Sequence, residues 1–269
     1  MKLPGMDRLA DRMILRPTTY PLPTDEKRRH TLRVAGQRVE VWIHDVGPVR
    51  PELELCILKF PGTGGRAERS TDAPASFWPH QSTQIWAVNP PGYGGSTGAA
   101  RLKYLAPTAL AVYDELRARC PDCPLLVMGN SLGGCSALYL AANRRVEGVV
   151  LRNVPPLRQL IRWRHAVRGL VFGSWLLACH VPAELDVIAC ARQATVPAVF
   201  VMSDRDRVVP PAYQRRLHAA YAGPYQLVTL AGAGHASSMA DSEMKQYRDA
   251  LGALLAKLLP GNLVSGLFF

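Results

Sequence analysis

No stretch of the sequence approaches the ~20 consecutive apolar residues that span a bilayer. Met1 to Leu15 also lacks an uninterrupted apolar core, because Asp7, Arg8, Asp11 and Arg12 break it. The pattern is therefore not that of a secretory signal, and a cytoplasmic location is expected. Internal repeats and low-complexity tracts are absent. Cysteine is sparse, with six residues. Cys120-Pro-Asp-Cys123 forms a Cys-x-x-Cys, but no second pair and no histidine cluster completes a zinc site. It falls after an expected helix and before an expected strand, so it reads as a loop. Cys56, Cys135, Cys179 and Cys190 lie in apolar contexts and suit packing as small hydrophobes. Free thiols fit a reducing compartment. No metal site and no organic cofactor is expected. Long Lys/Arg blocks are missing as well. The densest run, Lys27-Arg28-Arg29-His30, lies in a proline-containing segment without any nucleic-acid-binding motif. No nucleic-acid partner is expected.

What is present suffices for a sizeable core: 269 residues, 48% hydrophobic and 20% charged. That length fits one large domain, or one domain with a small insertion. The formal net charge of +11 leaves two readings open. Either the surface attracts an anionic partner, or it is Arg-rich and merely solvated.

Residues 1–30 read as an arm with a short helix over Met6 to Met13, kept extended afterwards by Pro17, Pro21 and Pro23. Thr31 to Val34 and Val39 to His44 flank Ala35-Gly36-Gln37 and predict a hairpin. Strands are expected at Leu53–Phe60, Gln84–Val88, Leu125–Met128, Gly148–Leu151, Ala198–Met202 and Gln226–Leu230. Helices are expected at Pro107–Arg119, Leu132–Ala142, Pro210–Tyr221 and Ser238–Leu258. Short strands that are apolar throughout suit a parallel sheet covered on both faces. Their alternation with helices predicts an open α/β sheet whose strand C-termini share one edge, where sites collect. Residues 155–194 break the alternation and read as a helical insertion. The core is then 31–154 together with 195–269.

Gly129-Asn130-Ser131-Leu132-Gly133 matches G-x-S-x-G between an apolar strand and a small-residue helix. A nucleophilic serine needs a sharp strand-to-helix turn, flanking glycines for the crowded backbone, and a helix N-terminus nearby to favour negative charge. Its hydroxyl needs a base. His235, in Ala231-Gly232-Ala233-Gly234-His235, is the one histidine on a glycine-rich loop after a late strand. The base needs an orienting carboxylate. Ser203-Asp204-Arg205-Asp206 offers two: Asp206 is preferred because it sits further into the loop, while Asp204 can pair with Arg205 or Arg207. An oxyanion needs donors, one from the backbone N–H of Leu132 and one from Phe60-Pro61-Gly62-Thr63-Gly64-Gly65, with Thr63 the expected donor. That loop is not a phosphate loop, since Gly-Lys-Ser/Thr is missing.

Taken together, these residues and Asn89-Pro90-Pro91-Gly92-Tyr93-Gly94-Gly95-Ser96 resemble the α/β-hydrolase superfamily over about residues 31–258. The likeness is to its small esterase, lysophospholipase-like and serine-peptidase-like members. Pro61 stands where the family's oxyanion loop usually has histidine. The resemblance implies an α/β-hydrolase fold, with a mostly parallel central sheet flanked by helices and a small helical cap formed by the insertion. It implies a Ser131–Asp206–His235 triad that hydrolyses a small-molecule carboxylic ester through an acyl-enzyme. A serine peptidase or amidase of the same fold, and a non-catalytic binding protein, are the alternatives. Trp163, Phe172 and Trp175 either line a substrate pocket or pack the cap on the core. Arg158, Arg162, Arg164 and Arg168 either form a solvated face or attract an anionic substrate or membrane surface. Oligomeric state is not legible.

Overall fold

Alternating apolar residues turn into a hairpin where Ala35 and Gly36 adopt the left-handed backbone that a tight turn requires. Its strands are β1 (Arg28–Val34) and β2 (Gln37–Val46), paired antiparallel with Val34 opposite Gln37. The structure is a computed structural model that describes residues 5–24, 26–166 and 171–259. The further strands are β3 (Leu55–Phe60), β4 (Thr83–Asn89), β5 (Leu125–Asn130), β6 (Gly148–Arg152), β7 (Ala198–Ser203) and β8 (Tyr225–Leu230). They form one sheet in the order β1-β2-β4-β3-β5-β6-β7-β8. Only the β1–β2 and β2–β4 pairs are antiparallel; β4 through β8 run parallel. This is the α/β-hydrolase fold.

Eight α-helices are described: α1 (Met6–Ile14), α2 (Leu105–Arg119), α3 (Leu132–Asn143), α4 (Leu157–Ala166), α5 (Val171–Cys179), α6 (Val187–Gln193), α7 (Pro211–Ala220) and α8 (Asp241–Leu258). α2 begins two residues before the expected Pro107, because proline is tolerated in a first turn where its missing N–H has no partner to lose. α8 begins later than expected. The side chain of Glu243 accepts from the Ala240 N–H at 2.8 Å and sets the start. Its other oxygen accepts from the Ala231 N–H at 2.6 Å and pins α8 to the end of β8. Within residues 155–194, α6 packs on α3 and α7, while α4 packs on α5. Among the described residues, no helix is long and apolar enough to cross a membrane.

The period-two alternation of β3 sorts its side chains between two cores. Cys56, Leu58 and Phe60 join residues of α2, α3, α6 and α7 on one face. Leu55 and Ile57 join Leu126, Val150, Val199 and the apolar stripe of α8 on the other. Truncating a fully buried leucine such as Leu126 or Leu251 would cost about 2–5 kcal/mol. The faces are covered unequally. The β3-to-β4 crossover carries only short 3-10 turns, Ala67–Arg69 and Ala75–Phe77, instead of an α-helix. Beside those turns the α8 face stays hollow near the C-terminal strand edge.

Candidate active site

Ser131 stands between β5 and α3 with φ 50° and ψ −121°. A non-glycine residue in this region is strained, and its surroundings hold it there. Its N–H bonds the Arg152 carbonyl at 2.8 Å, and its carbonyl receives the Gly134 N–H at 2.9 Å. The turn is too tight for larger neighbours. A Cβ at Gly129 would overlap the Gly134 backbone, and one at Gly133 would overlap the Phe60 carbonyl. The strain lifts the hydroxyl off the strand end and leaves Leu132 as the first residue of a twelve-residue helix. A helix N-terminus beside Ser131 favours negative charge there.

His235 reaches Ser131 from the loop after β8. Nε2 lies 2.9 Å from Ser131 Oγ and accepts its proton, while Nδ1 donates to Asp206 Oδ2 at 2.6 Å. The carboxylate partner places the ring proton on Nδ1, which leaves Nε2 free to accept. Asp206 is buried. Its second oxygen, Oδ1, accepts from the N–H groups of Val208 and Val209, both at 2.8 Å, and so holds its own loop. Gln214 donates to Oδ2 at 3.3 Å and to the Val209 carbonyl at 2.8 Å. Asp204 is exposed and takes no part; its N–H bonds Leu230. Of the two carboxylates the sequence offers, the fold brings Asp206 to the histidine.

The loop after β3 closes over the same edge. A Cβ at Gly62 would lie 3.4 Å from the Ser131 Cβ, so this backbone packs against Ser131. Thr63 is held firmly. Its carbonyl accepts from the Tyr93 hydroxyl at 2.9 Å and the Arg16 N–H at 3.3 Å, and its hydroxyl donates to the Ile14 carbonyl. The N-terminal segment thus buttresses this loop. A buried network holds it from the other end. Asn89 donates to Glu40 at 2.9 Å and to Glu68 at 2.8 Å, and receives the Ala67 N–H at 2.8 Å.

Three supporting residues escape sequence reasoning. Asn153 sits in the left-handed region at φ 50° and is buried. Its amide ties Ser203 of β7 to the His235 carbonyl, with bonds of 2.9 to 3.0 Å. A polar residue directly past a strand end was the available signal. Gln214 and Glu243 gave none, because polar residues on an amphipathic helix usually face water.

The tryptophans of the insertion, expected either to line a substrate pocket or to pack the cap on the core, are exposed. Trp163 is exposed on α4 beside the Tyr213 ring, with centroids 5.6 Å apart. Trp175 is exposed on α5. The side chain of Phe172 lies outside the described residues, as do those of Arg164 and Arg168. Arg158 is engaged with Asp186 at 3.3 Å and with the Val181 carbonyl at 3.0 Å. A cavity of about 540 Å³ lies on the opposite, α8 side, where Gly62, Asn130, Met128, Met244 and Tyr247 are among its walls. Neither tryptophan lines it.

This geometry can pass a proton from a serine hydroxyl to an imidazole held by a buried carboxylate. A protein of Mycobacterium tuberculosis is 29% identical over 210 residues, which is 74% of this chain and 69% of the relative. Est1E from Butyrivibrio proteoclasticus, solved with ferulic acid bound, superposes with a TM-score of 0.65 at 16% identity, over 86% of this chain and 99% of that one. A puromycin-hydrolyzing peptidase of Mycobacterium tuberculosis superposes with a TM-score of 0.66 at 18% identity, over 89% of this chain and 40% of that one. Residues 60–250 match the profile of the Alpha/beta hydrolase family, and the chain belongs to that family.

Proposed function

We propose that the protein is a serine hydrolase acting on small-molecule carboxylic esters, with Ser131 as nucleophile, His235 as general base and acid, and Asp206 as orienting carboxylate. The observation that carries this reading is the unbroken chain Ser131 Oγ–His235 Nε2 at 2.9 Å and His235 Nδ1–Asp206 Oδ2 at 2.6 Å, on a strained serine at a helix start. Ser131 attacks the ester carbonyl while His235 takes its proton. The backbone N–H groups of Leu132 and Thr63 receive the oxyanion, in a site where preorganised donors are worth several kcal/mol. The imidazolium then protonates the departing alcohol, and water activated by His235 releases the acid. A cytoplasmic site of action belongs to the same proposal and rests on the six unpaired cysteines.

Esters are preferred over amides because an alkoxide leaves more readily than an amine, which needs firmer protonation by His235. An amidase or peptidase is the second reading, favoured by the peptidase among the structural neighbours. Labelling with a fluorophosphonate, followed by mass-spectrometric mapping, should place the adduct on Ser131. Ser131→Ala should abolish labelling and lower p-nitrophenyl ester turnover by roughly a thousandfold or more. Undiminished turnover by that variant would refute the assignment. Faster cleavage of aminoacyl anilides than of matched esters would transfer the substrate class to amides.

A further inference from the structure

The sheet places two cations, on β3 and β6 with β5 between them, on the face away from α3. Asn130 pairs with Arg152 across β5 and β6, and Lys59 pairs with Met128 across β3 and β5. Alternation along each strand puts Lys59, Asn130 and Arg152 on the side of Ile57, Leu126 and Val150, at the C-terminal edge. All three line the cavity of about 540 Å³. That is ample for a small ligand. Gly62, Asn130 and Ser238, chain neighbours of Thr63, Ser131 and the His235 loop, are also walls. The hollow therefore lies directly beside the reacting groups. The rest of its lining is largely apolar, with Phe77, Met128, Met239 and Tyr247, and it also holds Arg66, paired with Glu68, and Arg69, which donates to the Tyr20 hydroxyl.

Among the described residues, neither Lys59 nor Arg152 has a carboxylate within ion-pair distance. Lys59 donates only to the backbone carbonyls of Thr71 and Ala73, the latter at 2.6 Å. Arg152 donates one Nη to the Ser237 carbonyl, and its buried Nε has no partner. Of the carboxylates that act on them, Asp72 lies 3.1 Å from His44, and Glu243 accepts from the Ala231 and Ala240 N–H groups. Burial pulls the Lys59 ammonium down to about 7 and also lowers Arg152. Both side chains are held partly out of water with no carboxylate in ion-pair contact, while Asp72 and Glu243 act on them only from a distance, an arrangement that an incoming anion relieves.

We infer that this cavity binds an anionic oxygen group of the substrate, so that the preferred esters carry a second acidic function, held by Arg152 and Lys59, on an apolar body. This rests on the ester-hydrolase reading above. The acidic group sits on either the acyl or the alcohol side of the ester, and two matched pairs separate the cases. p-Nitrophenyl hydrogen adipate against p-nitrophenyl hexanoate places the charge on the acyl side. p-Acetoxybenzoate against its methyl ester places it on the alcohol side. In at least one pair kcat/KM should favour the anion. Arg152→Gln and Lys59→Gln should each lower that anion-to-neutral ratio by about tenfold or more, the loss expected for a charge-assisted bond. The ratio does not depend on the fraction of protein folded. Ratios at or below one in both pairs for the unaltered chain, or ratios unmoved in both variants, overturn the inference. Should no ester of either pair be hydrolysed, the ester-hydrolase reading fails. Calorimetry of the Ser131→Ala protein then decides the pocket: monomethyl adipate should bind at least tenfold more tightly than methyl hexanoate, and equal binding overturns it.

Discussion

Asp206→Asn separates the two tasks of the buried carboxylate. Oδ1 holds the Val208 and Val209 N–H groups at 2.8 Å, and asparagine retains an oxygen for them. The loop and the fold should survive. At the Oδ2 position an NH2 group replaces an acceptor 2.6 Å from His235 Nδ1. Two donors cannot face each other, so the imidazole moves its proton to Nε2. That nitrogen then points a donor at Ser131 Oγ, 2.9 Å away, and no longer takes its proton. Loss of the correct tautomer and of the charge that stabilises imidazolium is worth about 10⁴ in kcat in a serine–histidine–aspartate site. That corresponds to roughly 5–6 kcal/mol of transition-state stabilisation. Asp206→Ala should lose as much activity and also stability, because two buried N–H groups lose a charged acceptor, each bond being worth about 1.5–3 kcal/mol before water replaces part of it. The assay pairs kcat/KM on p-nitrophenyl butyrate with thermal melting. Asp204→Asn, at the exposed neighbouring carboxylate, serves as reference and should stay within about twofold on both readouts. Activity of Asp206→Asn within tenfold of the unaltered chain, or collapse of Asp204→Asn with Asp206→Asn intact, would refute the assignment of the orienting acid.

Two further outcomes concern stability. Gly133→Ala would drive a methyl into the Phe60 carbonyl, so α3 must shift off the end of β3. A loss of at least ~2 kcal/mol in urea unfolding is expected, together with loss of fluorophosphonate labelling; an unchanged midpoint would show that the contact yields freely. His218 is buried on α7 against the Phe200 ring, and burial lowers its pKa from the ordinary 6.5 to about 4. Between those values the unfolded chain holds a proton that the folded chain lacks, so stability rises with pH from about 4 to 6.5 and is lost as pH falls. The shift is worth roughly 3 kcal/mol across that window. His218→Phe should flatten this part of the pH–stability curve in chemical denaturation, and a curve as steep as before would locate the acid sensitivity elsewhere.

Much of the fold and of the site is legible in the sequence, for physical reasons that differ from place to place. Strand and helix identity follow from local periodicity: β3 and β5 are short apolar runs, and α3 is built of small residues that allow it to lie close to the sheet. The serine turn was readable because its backbone tolerates only glycine at particular neighbours, a local constraint written directly into Gly129 and Gly133. His235 stands out because it is the one histidine on a glycine-rich loop after a late strand. The choice between Asp206 and Asp204 could be leaned on from the loop, but it is decided by burial and by the reach of one imidazole, both products of how β7 and β8 pack. The same holds for Asn153, whose bonds join segments fifty and more residues apart. The cavity was invisible for a related reason. Lys59, Asn130 and Arg152 belong to three strands that are neighbours only in the sheet, and the hollow exists because no α-helix covers the β3-to-β4 crossover. Local sequence dictates which elements form and where a backbone must bend; which distant side chains end up facing one another is set by strand order and register, and those are properties of the assembled sheet alone.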